Sequence, residues 1–587
     1  MKLPSIPYLA GAFAAVLRRF PWVMLSAFVG TIAAILLIEG LPKEYEKEHA
    51  RLLFTAALAL PLFLSAAVAS EKWQLSGTAK WLPSVAALLL AVLYFFTMDM
   101  GTHGPSPTTM MRFAGLNLAA HLLVAWLPYA GSGTTEDFWE YNKRLLVNFL
   151  TGAFYSLVIY AGLGFAILAV QQLFDLRINN NIYAHLFVVI AGVFNTAYFL
   201  AHYPPRYEGL AEEGGQYTTA VKNLTKFILI PIVAIYFLIL YAYSVKIIAT
   251  WELPRGWVSS LVLGFSVAGI FTYLLNFFLV KYDDGSIVRN FKRWFFVVLL
   301  PMVVLLFVAI GRRIGDYGVT EERYIVATAG VWLLLVSLYF VLSKKDDIRF
   351  IPLSLTLFAL VTVLGPFSAF KSSERSQVGR LEAILTKNNM LEEGRAVPAK
   401  DSLSQEDAAD LQSILYYLQN NGHFSPVALW FGLSPDIDSP EWEDMSEIMT
   451  NLKLGDAIGA GPQEYCYAYF PQETGMAIAG YDTLHRAAIF AQSFRNVSGF
   501  TIVQGENTIE WRRDGELIDR FDLNDYVTRL AGRYDCVKGD FKQEDSAVEV
   551  AGGLYAVKFI AENLTIKRGE KPLMQDWNGS ILIRRKE

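Results

Sequence analysis

WFFVVLLPMVVLLFVAI (294–310), GRRIGDYGVTEER (311–323) and YIVATAGVWLLLVSLYFVL (324–342) follow one another in this chain: two long apolar runs joined by a short, densely charged segment. A helix needs about 20 mostly apolar residues to cross a bilayer, and each run comes close to that length. Charge held at a bilayer edge is costly unless it is paired or solvated, so the joining segment is a place to look for function. The same pattern recurs outward in both directions. Eleven such runs are found, at 21–39, 52–70, 81–99, 113–130, 148–172, 182–201, 227–249, 257–280, 294–311, 324–342 and 350–370. Tryptophans mark many ends, among them Trp22, Trp81, Trp126, Trp251, Trp257 and Trp294, where an amphipathic ring suits the membrane interface.

The expected fold is therefore an α-helical polytopic membrane bundle of about 11 transmembrane helices. A soluble α+β domain with a mostly antiparallel sheet follows it. The expected parts are an amphipathic N-terminal segment (1–20), the bundle (21–370), a linker helix (371–400) and the soluble domain (401–587). Composition agrees: 54% of the 587 residues are hydrophobic and only 18% are charged. Residues 371–587 hold 23 Lys+Arg against 34 Asp+Glu, which leaves 27 against 21 of the totals of 50 and 55 for residues 1–370. A basic membrane part suits anionic headgroups, and an acidic tail argues against nucleic acid.

In residues 1–20, Leu3, Ile6, Leu9, Phe13, Leu17 and Phe20 recur at near-helical spacing beside Arg18 and Arg19. That pattern reads as a helix lying on the membrane or as an extension of the first span. With the N-terminus inside, inner segments carry 17 Lys/Arg and outer loops 9. The positive-inside rule then places the N-terminus in the cytoplasm, and an odd number of spans places the tail outside. Both cysteines, Cys466 and Cys536, lie in the tail, where an extracytoplasmic setting would let them pair.

Within the tail, Ser404 reads as an N-cap, with Leu411, Ile414, Leu415 and Leu418 on one face and Gly422 as the stop. Another helix starts at Ser439-Pro440-Glu441. Alternation around Tyr465–Phe470 and the pair Thr508–Arg512 and Glu516–Phe521 about Asp514-Gly515 read as strands. Leu554–Ile560, Leu564–Lys567 and Ser580–Arg584 read the same way.

Val147–Ala201, the segment Thr250–Ser259 and Leu306–Tyr324, above all Tyr317-Gly-x-Thr320-x-x-Arg323-Tyr324, resemble an uncharacterised family of bacterial multi-pass membrane proteins classed as a domain of unknown function. The resemblance covers about residues 145–390. It implies the inner (cytoplasmic) membrane of a bacterium and no particular activity.

Motifs for chemistry are few. No phosphate-binding loop, H-E-x-x-H, C-x-x-C or G-x-S-x-G occurs, and Gly455–Gly461 lacks dinucleotide-loop spacing. No catalytic residue, cofactor or metal is expected. The acidic stretch Asp436, Asp438, Glu441, Glu443 and Asp444 could hold Ca²⁺, but a helix start accounts for it more simply. Polar residues within runs are His121, Asn148, Asn195 and Asn276, which should face the bundle interior, as structural bonds or as a cavity lining. Small residues at Ala161-Gly162-Leu163-Gly164 and Gly192 read as close helix packing.

In the joining segment, Arg312, Arg313, Asp316, Tyr317, Glu321 and Arg323, with Glu252 and Arg255 from another loop on the same side, form a candidate ligand or headgroup cluster. The competing account is two capped helix ends. The function expected is a membrane-embedded binding or transport module for a lipid or small solute. The alternative is an anchor or sensor presenting the C-terminal domain to a protein partner. A membrane enzyme acting on a lipid-linked substrate is a third reading.

Overall fold

The structure is a computed structural model. It describes the chain except residues 1–5, 41–44, 102–103, 177, 214–218, 251–256, 283–284, 344, 401–402, 455–464, 471–477, 479, 490–494, 498–499, 506, 514–515, 534–541, 568–570 and 587. Glu252, Arg255, Cys536, Gly455–Gly461 and the Asp514-Gly515 turn fall outside the described residues. Contacts divide the chain into two compact units. One comprises Met1–Glu382, Tyr416–Ala428 and Ser434–Ser439; the other comprises Ala383–Leu415, Leu429–Leu433 and Pro440–Glu587.

The first unit is a helical bundle. Helix α1 (Ile6–Arg19) precedes the spans α2 (Pro21–Ile38), α3 (Glu46–Lys72), α4 (Leu82–Thr97), α5 (Pro107–Trp126) and α6 (Thr135–Phe174). They continue with α7 (Asn181–Ala201), α8 (Val221–Thr250), α9 (Trp257–Asn276), α10 (Ser286–Tyr317) and α11 (Glu321–Leu342), and the shorter α12 (Phe350–Val363) follows. Among the described residues, ten helices are long and apolar enough to cross a membrane, and each coincides with an expected run. The chain is a multi-pass integral membrane protein. The eleventh run is helical too, but α12 has 14 residues and is only about 21 Å long. Leu364 leaves it in extended conformation, and the Tyr324 hydroxyl beyond the start of α11 bonds to the Phe367 carbonyl. At the other end of α12, Arg349 bonds to the Gly133 carbonyl between α5 and α6. Residues 365–368 then form a turn, closed by the Ser368 N–H to the Gly365 carbonyl, before the next helix begins.

Lipid tails are as apolar as Leu, so packing rather than water exclusion holds such helices together. Gly192 shows how. It sits in a π turn at Ile190–Phe194 of α7, and a Cβ there would lie 2.3 Å from Thr31 Oγ1 of α2. Gly152 is similarly crowded by Asn195 and Tyr198, whereas a Cβ at Gly162 would meet nothing. The small residues at 161–164 therefore do not mark a tight crossing. A second π turn, Leu224–Leu229, stands just before Pro231, which removes a backbone donor. The bundle interior is dense in aromatic rings, with Tyr273 in contact with Phe295, Phe296 and Phe340.

After α12 come α13 (Ala369–Lys387) and α14 (Gln405–Asn420). Ser404 Oγ accepts from the Asp407 N–H at 3.1 Å; Leu411, Ile414, Leu415 and Leu418 are buried; Gly422 has φ +69°. The expected cap, face and stop are all present. Helix α15 (Trp442–Asn451) begins with a capping box between Glu441 and Asp444, which accounts for the acidic residues there.

The second unit contains a short hairpin, β1 (Leu391–Glu392) with β2 (Arg395–Ala396), and two antiparallel sheets. In the first sheet β3 (Tyr465–Tyr469), β10 (Tyr555–Lys567), β11 (Leu573–Arg585) and β4 (Thr483–Ile489) are neighbours in that order, and β9 (Ala547–Ala551) also pairs with β10. The second is β5 (Arg495–Val497), β6 (Phe500–Gly505), β7 (Thr508–Arg513) and β8 (Glu516–Asp522). The runs 554–560 and 564–567 are one strand, β10, whose register shifts between Ala561 and Asn563. Trp511, Phe521, Phe559 and Trp577 meet in the core, closed by α16 (Asn524–Arg533) through Tyr526, Val527 and Leu530. Fully burying one such side chain contributes about 1.5–3 kcal/mol.

Candidate functional site

Helix α10 does not stop at Ile310. It continues to Tyr317, so Arg312, Arg313 and Asp316 lie on helix rather than on a loop. Arg312 and Asp316 pair at 3.6 Å one turn apart, and both are exposed, as is Arg313. The turn itself is tight. Gly318 has φ +71°, and a Cβ there would lie 2.6 Å from Arg380 Cδ of α13. Three donors converge on the Tyr317 carbonyl: Arg323 Nη1 at 3.0 Å, Arg380 Nη1 at 2.7 Å and Gln377 Nε2 at 3.1 Å. Cations at the C-terminal end of a helix offset its dipole and its unpaired carbonyls. Thr320 occupies the N-cap of α11 as expected, but its side chain makes no capping bond.

Glu321 turns inward. It is 2% exposed, and its Oε1 lies 2.6 Å from Nε2 of His423, itself 5% exposed. The Tyr417 hydroxyl donates to Oε2 of the same carboxylate. His423 Nδ1 lies 3.7 Å from Glu374 of α13, which is held by Lys371. Burial and the Glu321 charge push the Tyr417 phenol well above its ordinary range, so it stays a neutral donor. Asp438 stands in the same acidic neighbourhood. Burial, then Asp99 and Glu374, raises its carboxyl above the usual value. Thr108 at the start of α5 bonds to the Asn421 carbonyl at 3.1 Å. Residues 416–428 and 434–439 are thus built into this end of the bundle by a buried carboxylate–imidazole pair.

The intramembrane polar residues have local duties. His121 is exposed and bonds to the Asn117 carbonyl four residues back. Asn148 Nδ2 bonds to the His202 carbonyl at 2.6 Å. Asn276, fully buried, bonds to the Val288 carbonyl. Asn195 Oδ1 is buried with no partner among the described residues. Cys466 lies on β3 opposite Ile566.

A cavity of about 570 Å³ opens elsewhere, among α5, α6, α9, α11 and α12. Its walls are apolar, with Leu122, Phe138, Ile270, Trp332 and Leu355 prominent. Leu118, Val267 and Phe271 line it and remain exposed, so it is open rather than sealed. Asn142, Lys143 and Ser266 supply the polar groups. Lys143 is held by Glu140 at 2.6 Å and over the Trp139 ring at 5.1 Å. Trp139 Nε1 donates to the Leu274 carbonyl at 2.7 Å, tying α6 to α9 beside the cavity. Sequence reading passed over these residues because 139–143 falls between two apolar runs. The signal was there: Trp139 and Lys143, one turn apart, mark an interfacial start to α6.

One family profile, described as "Domain of unknown function (DUF4153)", matches residues 23–383. The chain belongs to this family. The match takes in helices α2 to α12 and most of α13, and so begins well before the segments that carried the resemblance. "Uncharacterized protein PM1469" of Pasteurella multocida (strain Pm70) is 26% identical over 187 residues, 32% of this chain. The chain covers 31% of that relative's length. No solved structure matches the chain.

Proposed function

We propose that this protein is a membrane-embedded binding or transport module that takes a lipid chain or another small apolar solute into the cavity between α5, α6, α9, α11 and α12. The cavity is the observation that carries the reading. Ligand sites are concave, mostly apolar, about 300–1,000 Å³ in volume, and carry a few placed polar groups. Here Asn142 and Lys143 stand beside an apolar interior that five helices line. The Lys/Arg distribution supports a cytoplasmic N-terminus in a bacterial inner membrane, with the second unit extracytoplasmic and available to a protein partner.

Ala329→Trp tests the reading, because Ala329 lines the cavity and an indole there would fill it. The full chain purified in mild detergent should release co-purified lipid or apolar solute on extraction. The variant should melt normally and release markedly less. Equal amounts from both proteins would end the proposal.

A further inference from the structure

A second recess lies on different helices, at the end of the bundle where α1 meets α2 and α3 meets α4. It measures about 280 Å³, and Arg18, Lys80, Ser70, Ser84 and Trp81 stand around it. Arg19 and Glu71 form its base. Arg19 gives both carboxylate oxygens of Glu71 a hydrogen bond, at 2.8 and 2.9 Å, and also donates to the Pro204 carbonyl at 2.8 Å. The Tyr207 hydroxyl donates to Glu71 at 2.6 Å. This pair cancels its own charge and serves as scaffold. Arg18 and Lys80 have no acidic partner among the described residues: Arg18 bonds the Ala14 carbonyl, and Lys80 rests over the Trp81 ring at 5.7 Å. The recess therefore keeps two uncompensated cations at the membrane interface.

An apolar groove of about 240 Å³ continues from it down the faces of α2, α3 and α4, past Leu25, Val29, Ala59 and Val92. Trp22 and Phe63 line both recess and groove, stacked at 5.8 Å. Trp22 Nε1 is buried and has no hydrogen-bond partner among the described residues, nor has Thr55 Oγ1 on the groove wall. A buried donor left unpaired costs about 1–3 kcal/mol, so an acceptor is missing where cationic recess and apolar groove join.

We infer that this recess and groove bind one anionic phospholipid, its phosphate between Arg18 and Lys80 and an acyl chain between α2, α3 and α4. A phosphodiester headgroup carries the charge the two cations lack. Its ester carbonyls fall at the level where polar and apolar parts meet, which is where Trp22 offers its N–H. A free phosphate would leave the groove unused, and a zwitterionic lipid would leave the cations uncompensated. The site shares no lining residue with the cavity above and does not depend on what fills that cavity.

Native mass spectrometry of the full chain, with phosphatidylglycerol and phosphatidylcholine of matched chains, tests it. The parent should retain one phosphatidylglycerol in preference to phosphatidylcholine. Arg18→Gln with Lys80→Gln, both at exposed positions, should lower that preference on the order of tenfold with unchanged melting. Val92→Trp, which blocks the groove from its exposed side, should reduce retention of both lipids. Ala329→Trp should leave retention intact, which separates this site from the cavity. An undiminished preference in the double variant, or inorganic phosphate displacing phosphatidylglycerol from the parent, would overturn the inference.

Discussion

Glu321 Oε1 and His423 Nε2 stand 2.6 Å apart across 102 residues of sequence, and both side chains are more than nine-tenths buried. Removing one member of a buried hydrogen-bonded pair leaves the other unsatisfied and costs about 1–3 kcal/mol. Glu321→Ala should therefore open residues 416–428 to protease in detergent-solubilised protein while the spans stay folded. The double variant Glu321→Gln with His423→Gln should lose less than the sum of the two single changes. Additive losses would show that the two side chains do not act on each other.

The charged residues at the α10–α11 turn should separate into two groups. Arg312→Gln removes only an exposed pair and should change stability by less than about 1 kcal/mol. Arg323→Gln removes two bonds to turn carbonyls, at 3.0 and 2.8 Å. Gly318→Ala meets both a left-handed backbone and the Arg380 side chain. Those two should each lower the melting temperature clearly. The reverse order would mean that the exposed arginines carry the turn.

In the second unit, Asp519 gives a pH prediction. Burial alone would raise its carboxyl, but N–H donors from Gly553, Leu554, Tyr555 and Arg520 hold it below the ordinary value. A carboxyl depressed on folding stabilises above its unfolded value of 3.8, and that stability is lost as pH falls through the lower folded value. Asp519→Asn should destabilise at neutral pH and make the acid side of the stability profile shallower. An unchanged profile would show the four donors satisfied elsewhere.

Crossing of the bilayer by α12 can be read chemically. With Cys466 and Cys536 replaced by Ser, single cysteines at Ser76, between α3 and α4, and at Arg375, on α13, should label from opposite sides of the membrane. We expect the second to react in intact spheroplasts with an impermeant thiol reagent and the first only after permeabilisation. Labelling of both from one side would remove α12 from the set of spans.

The spans were legible because a bilayer imposes a one-dimensional requirement, about 20 apolar residues in a row, and each run met it locally. The end of α10 was less so. Arg312, Arg313 and Asp316 lie past the apolar run, and hydropathy falls off there whether the helix stops or continues into the interface. The tail was legible where capping chemistry is local, as at Ser404 and Gly422, and less so where one strand, β10, reads as two because its register shifts after Ala561. The buried pair was not legible from either partner. Glu321 looks like an ordinary first-turn acid and His423 like a residue after a helix stop; only the return of the chain joins them. The cavity escaped for a related reason, since five helices contribute to it and none carries a motif.

That return of the chain bears on how the protein is made. Domains form largely from the N-terminus as synthesis proceeds. Glu321 enters the bundle edge 102 residues before its imidazole partner has been translated. A nascent chain ending near residue 400 therefore holds every span yet lacks the imidazole that Glu321 bonds to. The shortest fragment with a finished bundle should end at Ser439 rather than after α12, and a ladder of truncations should gain stability abruptly once His423 is included. To an insertase or a quality-control protease, His423 would be the mark of a completed membrane half.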